Sequence, residues 1–272
     1  MDGKLRIGIV GCGAIGTSLA KAVLKEFSKK AVVAALYDIS PAKSRQLSEK
    51  ISKDICAVSL LQLIEKSDLV VEAASAKVSY KVAKEVLGFG KDIMIMSVGG
   101  IVDKLSRLKS LAIKNSAKVY IPSGAICGID ALKAAKFAQI KKVTLTTTKH
   151  PKSFMGVEYV RKKGINLGSI KGERVLFSGR ADKAVKNFPQ NINVAAVLSL
   201  AGMGAKKTAV KIVASSLVTK NIHEIRIESS SGKITTRTEN VLHPDNPKTS
   251  YLAVLSAIAA LGQILEPVRI GT

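Results

Sequence analysis

Apolar and polar positions along this chain follow two different grammars. Up to Ile121, continuous apolar runs alternate with helix-patterned segments. The runs are Leu5-Arg6-Ile7-Gly8-Ile9-Val10, then 31–37, 69–73, 92–96 and 119–121, with a short strand expected around Ala57-Val58. The intervening spacing predicts helices from Ala14 onward and over 41–52, 60–66, 76–87 and 104–115. Apolar strands separated by helices predict a parallel sheet covered on both faces. After Pro122-Ser123-Gly124 the pattern changes. A helix is predicted over 125–138, and then Lys142 to Lys149 alternates with period two, as a half-buried strand does. Alternation recurs over 174–178, 208–215, 223–228 and 233–239, interrupted by a helix over 193–201. A strongly apolar helix over 250–265 ends the pattern and is expected to dock back on the first domain. The expected fold is α/β: a Rossmann-type doubly wound parallel sheet over 1–124, a second α+β substrate domain over 125–245, and the returning helix within 246–272.

The first apolar run flows directly into Gly11-Cys12-Gly13-Ala14-Ile15-Gly16, a G-x-G-x-x-G between a strand and a helix. In a dinucleotide site Gly11 permits the tight turn, Gly13 lets the backbone approach a pyrophosphate, and Gly16 lets the helix pack closely on the sheet. Ala14 and Ile15 open that helix, whose free N–H groups and positive dipole end suit phosphates. The second apolar run ends in Asp38, roughly 20 residues beyond the last glycine, where a ribose-binding carboxylate belongs. That carboxylate favours NAD and repels the extra phosphate of NADP. Lys43 and Arg45 just behind it soften the bias, so NADP stays possible.

Composition narrows the partners. Hydrophobic residues make up 47% of 272, enough for a large core, and mean hydropathy is +0.21. No apolar run reaches the roughly 18–20 residues of a membrane span, and the first one ends in a glycine loop rather than a cleavage site. Cys12, Cys56 and Cys127 form no metal-ligand spacing and no disulfide framework, so no metal is expected and a reducing cytoplasm is. Lys+Arg 43 against Asp+Glu 20 leaves a net charge of +23. The lysines are dispersed and aromatics are only 4%, which argues against a specific nucleic-acid platform and for a solvated basic surface.

Four further segments carry a resemblance. They are Pro122-Ser123-Gly124-Ala125-Ile126, then Asn187-Phe188-Pro189-Gln190-Asn191-Ile192-Asn193-Val194-Ala195-Ala196, Asn221-Ile222-His223-Glu224-Ile225, and Asn246-Pro247-Lys248-Thr249-Ser250. Together with the glycine loop they make the chain resemble the L-aspartate dehydrogenase family from end to end. The resemblance implies oxidative deamination of L-aspartate with NAD or NADP, iminoaspartate for pyridine nucleotide biosynthesis, and a homodimer. It implies cofactor contacts at Ala125 and Asn193, a substrate contact at Ser123, and a catalytic role for His223. The strong positive charge is not part of the family pattern.

Chemistry bears on the same residues. Oxidising an amino acid at Cα requires hydride transfer at near-attack distance and a base for the ammonium or for the water that hydrolyses the imine. Of three histidines, His150 and His243 precede prolines in expected turns, whereas His223 begins an expected strand, and the family motif selects it. Asn193 is placed to cap a helix or to hold the nicotinamide carboxamide or the substrate. Lys248, Thr249 and Ser250 precede the last helix, where hydroxyls cap and a cation suits a substrate carboxylate. Lys248 and Thr249 are therefore substrate candidates, and a dicarboxylate needs a second cationic subsite that the motifs do not supply. Cys127 is expected as a buried small side chain in an apolar helix. Its setting also resembles acylating aldehyde dehydrogenases, in which a cysteine thiolate forms a thioester. The reading is thus an NAD(P)-dependent L-aspartate dehydrogenase, with cofactor at the carboxyl ends of the sheet and substrate in the cleft between domains. The alternatives are a homoserine, dihydrodipicolinate or semialdehyde enzyme of the same plan, or a Rossmann-based redox sensor or nucleic-acid-binding protein.

Overall fold

The computed structural model describes residues 3–188, 193–244 and 246–271. They form two compact units, one running to Pro122 and including Val254–Ile270, the other spanning Ser123–Ala253.

The first unit alternates β1 (Leu5–Val10), α1 (Ala14–Lys25), β2 (Ala31–Tyr37), α2 (Pro41–Lys50), α3 (Leu60–Glu65), β3 (Leu69–Glu72), α4 (Ser79–Gly88), β4 (Asp92–Ile95), α5 (Leu105–Lys114) and β5 (Val119–Tyr120). All pairings are parallel, in the order β2-β1-β3-β4-β5. Every residue of β3 is buried, as a strand covered on both faces requires. The order reverses beside β1, with β2 on one side and β3 on the other, which opens a crevice at their carboxyl ends. Local chemistry sets the helix starts. Pro41 occupies the first turn of α2, and Ser59 caps α3 by accepting from Gln62 N–H at 3.2 Å. The strand expected at Ala57-Val58 is only an isolated bridge, Leu36 to Cys56. Val58 is 89% exposed, so that segment has no second apolar position to bury.

The second unit contains α6 (Ile129–Ala135), β6 (Ile140–Lys149), α7 (Glu158–Lys162), β7 (Glu173–Arg180), α8 (Ala181–Asn187), α9 (Asn193–Ala201), β8 (Ala209–Ser215), β9 (Asn221–Ser229), β10 (Gly232–Asn240), the short pair β11 (Leu242–His243) and β12 (Asn246–Ser250), and the start of α10 (Tyr251–Leu265). Its main sheet is mixed, in the order β10-β9-β6-β8-β7, with only β6 and β8 parallel. One face carries the core: Val143 and Leu145 of β6, Ile225 and Ile227 of β9, and Val210 and Ile212 of β8 pack with Leu132 of α6, Ala184 of α8 and Leu198 of α9. From Val254 onward α10 belongs to the first unit, where Ala257 and Leu261 are fully buried with Ile7 and Ile9 of β1.

Two expectations are corrected here. The helix predicted over 125–138 shrinks to α6, because Gly128 adopts a φ of +87° and the preceding residues form a loop. Cys127 therefore lies exposed in that loop rather than buried in an apolar helix. The sequence pattern also missed α7 and α8, whose few turns are too short to establish a period, and the β11–β12 pair.

Candidate active site

In the first unit, Gly11 follows β1 with a φ of +96°. A Cβ there would lie 2.6 Å from the Ala73 carbonyl carbon, so the glycine loop is seated against the segment that leaves β3. A methyl on Gly16 would overlap the Gly11 carbonyl oxygen, which is how the first turn of α1 sits tight on the loop. Gly13 differs: a Cβ there meets nothing within 4 Å. It is also the N-cap of α1, with no side-chain cap and no acidic residue in the first turn. The result is an open approach to helix N–H groups, through Ala14 and Ile15, that fits a pyrophosphate.

Asp38, half-buried at the end of β2, sits beside this loop. One carboxylate oxygen accepts from Cys12 N–H at 2.9 Å and the other from Ser40 N–H at 2.9 Å. The carboxylate is thereby held at the rim of the glycine loop, where a ribose would meet it. Cys12 is buried, and its thiol is pushed up to about 12 by burial and then by the Asp38 charge, so it is an inert thiol. Glu72, which the sequence reading passed over as the end of an apolar strand, is fully buried at the carboxyl end of β3. It accepts from Ala74 N–H at 2.9 Å and Ser97 N–H at 3.1 Å, tying together the segments that leave β3 and β4. Burial pushes its carboxyl up, against the pull of these donors.

In the second unit a polar cluster continues the core face of the sheet. The inward positions of β6 run Val143, Leu145, Thr147, Lys149, so two apolar residues are followed by a hydroxyl and a cation, all buried. His223 of β9 lies directly opposite Thr147 and shares its face. The imidazole Nδ1 and the Thr147 Oγ1 are 3.0 Å apart. The ring is 2% exposed, and its basicity is pushed down to about 3 by burial and then by the Lys149 charge. Burial likewise pushes the Lys149 ammonium down to about 8. Asn221 on β9 donates to Ser250 Oγ at 3.4 Å. Opposite it on β10, Asn240 donates to the Ala125 carbonyl at 3.0 Å, and Thr238 donates to the same oxygen at 3.2 Å.

The other candidates divide. Ser123 is half-buried just before Gly124, and Ala125 is buried through its carbonyl contacts. Asn193 is the first residue of α9 and is exposed, while Pro189, Gln190, Asn191 and Ile192 of its motif lie outside the described residues. Thr249 accepts from Asn246 Nδ2 at 3.1 Å within β12 rather than capping a helix. The Lys248 side chain lies outside the described residues. His150 accepts from Lys152 N–H at 3.2 Å to start a short turn. His243 is buried edge-to-face on Tyr251, at 5.5 Å between ring centroids, rather than standing in a loop. Lys149, Thr147 and Asn240 were missed. The signal for the first two was present in the period-two alternation of β6, which puts both on the side of Val143 and Leu145. Among the described residues no cluster of His, Cys, Asp or Glu could hold a metal ion, and no helix is long and apolar enough to cross a membrane.

The parallel unit with its glycine loop places the chain among the dehydrogenases that use a nicotinamide dinucleotide, and residues 11–122 match the NAD-binding domain of homoserine dehydrogenases. Residues 130–264 match the C-terminal domain of aspartate dehydrogenase. The chain is 47% identical to the L-aspartate dehydrogenase of Methanococcoides burtonii over 98% of its own length and 100% of the relative's. It is 44% identical to that of Methanosarcina barkeri over the same shares. The crystal structure of aspartate dehydrogenase from Thermotoga maritima superposes with a TM-score of 0.73 at 28% identity, covering 98% of this chain and 99% of that one. The chain belongs to the L-aspartate dehydrogenase family. A hyperthermophilic archaeal homoserine dehydrogenase solved with NADPH shares the fold alone, with a TM-score of 0.58 at 16% identity over 98% of this chain and all of that one.

Proposed function

We propose that the protein oxidises L-aspartate at Cα with NAD, giving iminoaspartate that serves pyridine nucleotide synthesis or hydrolyses to oxaloacetate and ammonia. The observation that carries this reading is the buried Thr147–His223 pair, whose histidine lies in the Asn221–Ile225 segment on which the resemblance to the family rests. In this reading Gly11, Gly13, Ala14, Ile15 and Gly16 hold the pyrophosphate and Asp38 the adenosine ribose, with NAD preferred to NADP. Ala125 and Asn193 serve the nicotinamide end, and Ser123, Asn193, Lys248 and Thr249 serve the substrate.

When bound, the dinucleotide accepts the hydride from Cα. The chain's own part is the proton. The base-competent tautomer of His223 carries its hydrogen on Nδ1, donates it to Thr147 Oγ1, and presents a bare Nε2. Burial keeps this ring neutral in the ligand-free chain. A dicarboxylate beside it restores negative charge and raises its basicity, so that Nε2 takes one proton from the substrate ammonium as the hydride leaves. Nε2 passes that proton to bulk water, and the freed nitrogen then takes one from the water that adds to the iminium carbon and returns it to the carbinolamine nitrogen as ammonia departs.

We further infer that the protein works as a homodimer in the cytoplasm. Its three cysteines are free, which suits a reducing compartment. Light scattering of the purified protein tests the dimer. The activity is tested by incubating the protein with L-aspartate and NAD and assaying oxaloacetate, ammonia and NADH, which must appear in equal amounts. NADH formation without oxaloacetate would remove L-aspartate oxidation from consideration.

A further inference from the structure

Aspartate carries two carboxylates, and each needs a cation or a cluster of N–H donors when water is stripped from it. The motifs supplied Lys248 for one and nothing for the other. The second sheet supplies a candidate. Lys149 is the last residue of β6, on the face that carries Val143 and Leu145 into the core, and it is only 8% exposed. Lysine is almost never buried in this way without a reason, because the interior does not solvate its ammonium.

Its surroundings are those of a site. On the antiparallel neighbour β9, His223 faces Thr147, so Lys149 and His223 are diagonal neighbours, roughly 7–8 Å apart along the backbone and within reach of a long side chain. The two are close enough that the ammonium lowers the basicity of the imidazole. On the other side β8 presents Ala214 in register with Lys149. Across the face stand Asn221 on β9 and Thr238 and Asn240 on β10, also buried or half-buried. A cation, a neutral imidazole, two amides and two hydroxyls thus share one face at one end of a sheet. The ammonium is the cation of this cluster, and it suits a carboxylate.

We propose that Lys149 is the cationic subsite for one carboxylate of a small dicarboxylate substrate, set beside the His223 base. This rests on the reading of L-aspartate as substrate. The arrangement links binding to catalysis: burial first and then the Lys149 charge suppress His223, and the anion that Lys149 attracts offsets the second of these.

The test compares wild type with Lys149→Met, which keeps the length and apolar stem of the side chain and removes the charge. Two quantities are read: KM for L-aspartate, and the Kd of succinate, a non-oxidisable dicarboxylate, by titration calorimetry of the NADH-loaded protein. The variant is expected to melt no lower than wild type, because a buried charge is gone. It should bind NADH within about twofold of wild type, and both KM and the succinate Kd should rise by roughly 30-fold or more. Wild-type KM should also climb as pH rises through about 8, where the ammonium loses its proton, and the variant should lose this dependence. If Lys149→Met fails to fold, Lys149→Gln carries the same expectations. Unchanged KM and succinate Kd in a folded variant would overturn the proposal. Succinate binding that depends on Lys149 in a protein unable to oxidise L-aspartate would sustain the anion subsite and overturn the proposed activity. A wild type that neither oxidises L-aspartate nor binds succinate would overturn both.

Discussion

At His223 the decisive circumstance is what surrounds the ring. Burial and the Lys149 charge hold its basicity near 3, far below the usual value of about 6.5. An unperturbed imidazole would give a pH–rate limb at roughly 6.5. The free enzyme should show no histidine limb there in kcat/KM. His223→Ala should still lower kcat by roughly 10²- to 10⁴-fold with NADH affinity unchanged. A near-wild-type variant, or a larger loss at His243, would show that another group is the base. The same shift has a stability consequence. Between about 6.5 and 3 the unfolded chain binds a proton at this histidine that the folded chain refuses, so the buried ring costs stability as pH falls through that window. His223→Asn should therefore lose less melting temperature than wild type on acidification. Asp38 poses a separate question. With both oxygens held by N–H groups at the rim of the glycine loop, it should repel a ribose phosphate. Wild type should thus bind NAD at least as tightly as NADP, and Asp38→Ala should narrow or invert the difference in a fluorescence titration. Tenfold tighter binding of NADP by wild type would contradict this.

Among the elements, the loop after β1 separates two jobs that glycines do. Gly11→Ala places a methyl against the Ala73 backbone at positive φ, so it should lower the melting temperature. Gly13→Ala meets nothing in the ligand-free chain and should melt with wild type, yet weaken NADH binding where the pyrophosphate approaches. Equal effects on both properties from both substitutions would deny the loop that division. This loop was legible in the sequence because its meaning is local: a strand, a spacing of glycines and a helix, all between Leu5 and Lys25. The α9 limits, Asn193–Ala201, were legible for the same reason. Contacts made far along the chain were not. The loop before α6 is tied through the Ala125 carbonyl to Asn240, 115 residues away, and no local periodicity announces that. Glu72 and Lys149 lay between these cases. Each ends a strand whose preceding residues point into a core, so the pattern that defined the strand already implied a buried charge. Only the partners that make such a charge useful required the structure.

For the molecule as a whole, the net charge of +23 concerns encounter more than fold. A basic surface draws in an anionic cofactor and a dicarboxylate, so kcat/KM should fall as ionic strength rises while kcat holds. Nucleic acid should bind weakly, without sequence preference, and be released by salt. A footprint on one DNA sequence that survives physiological salt would point to a second role. The central claim is that hydride leaves Cα of L-aspartate, and isotope transfer tests it most directly. L-[2-²H]aspartate with NAD should yield NADH carrying one deuterium at C4 of the nicotinamide, seen by mass spectrometry, with His223→Ala forming it far more slowly. Unlabelled NADH from that substrate, or label transferred from L-homoserine and not from L-aspartate, would contradict the account.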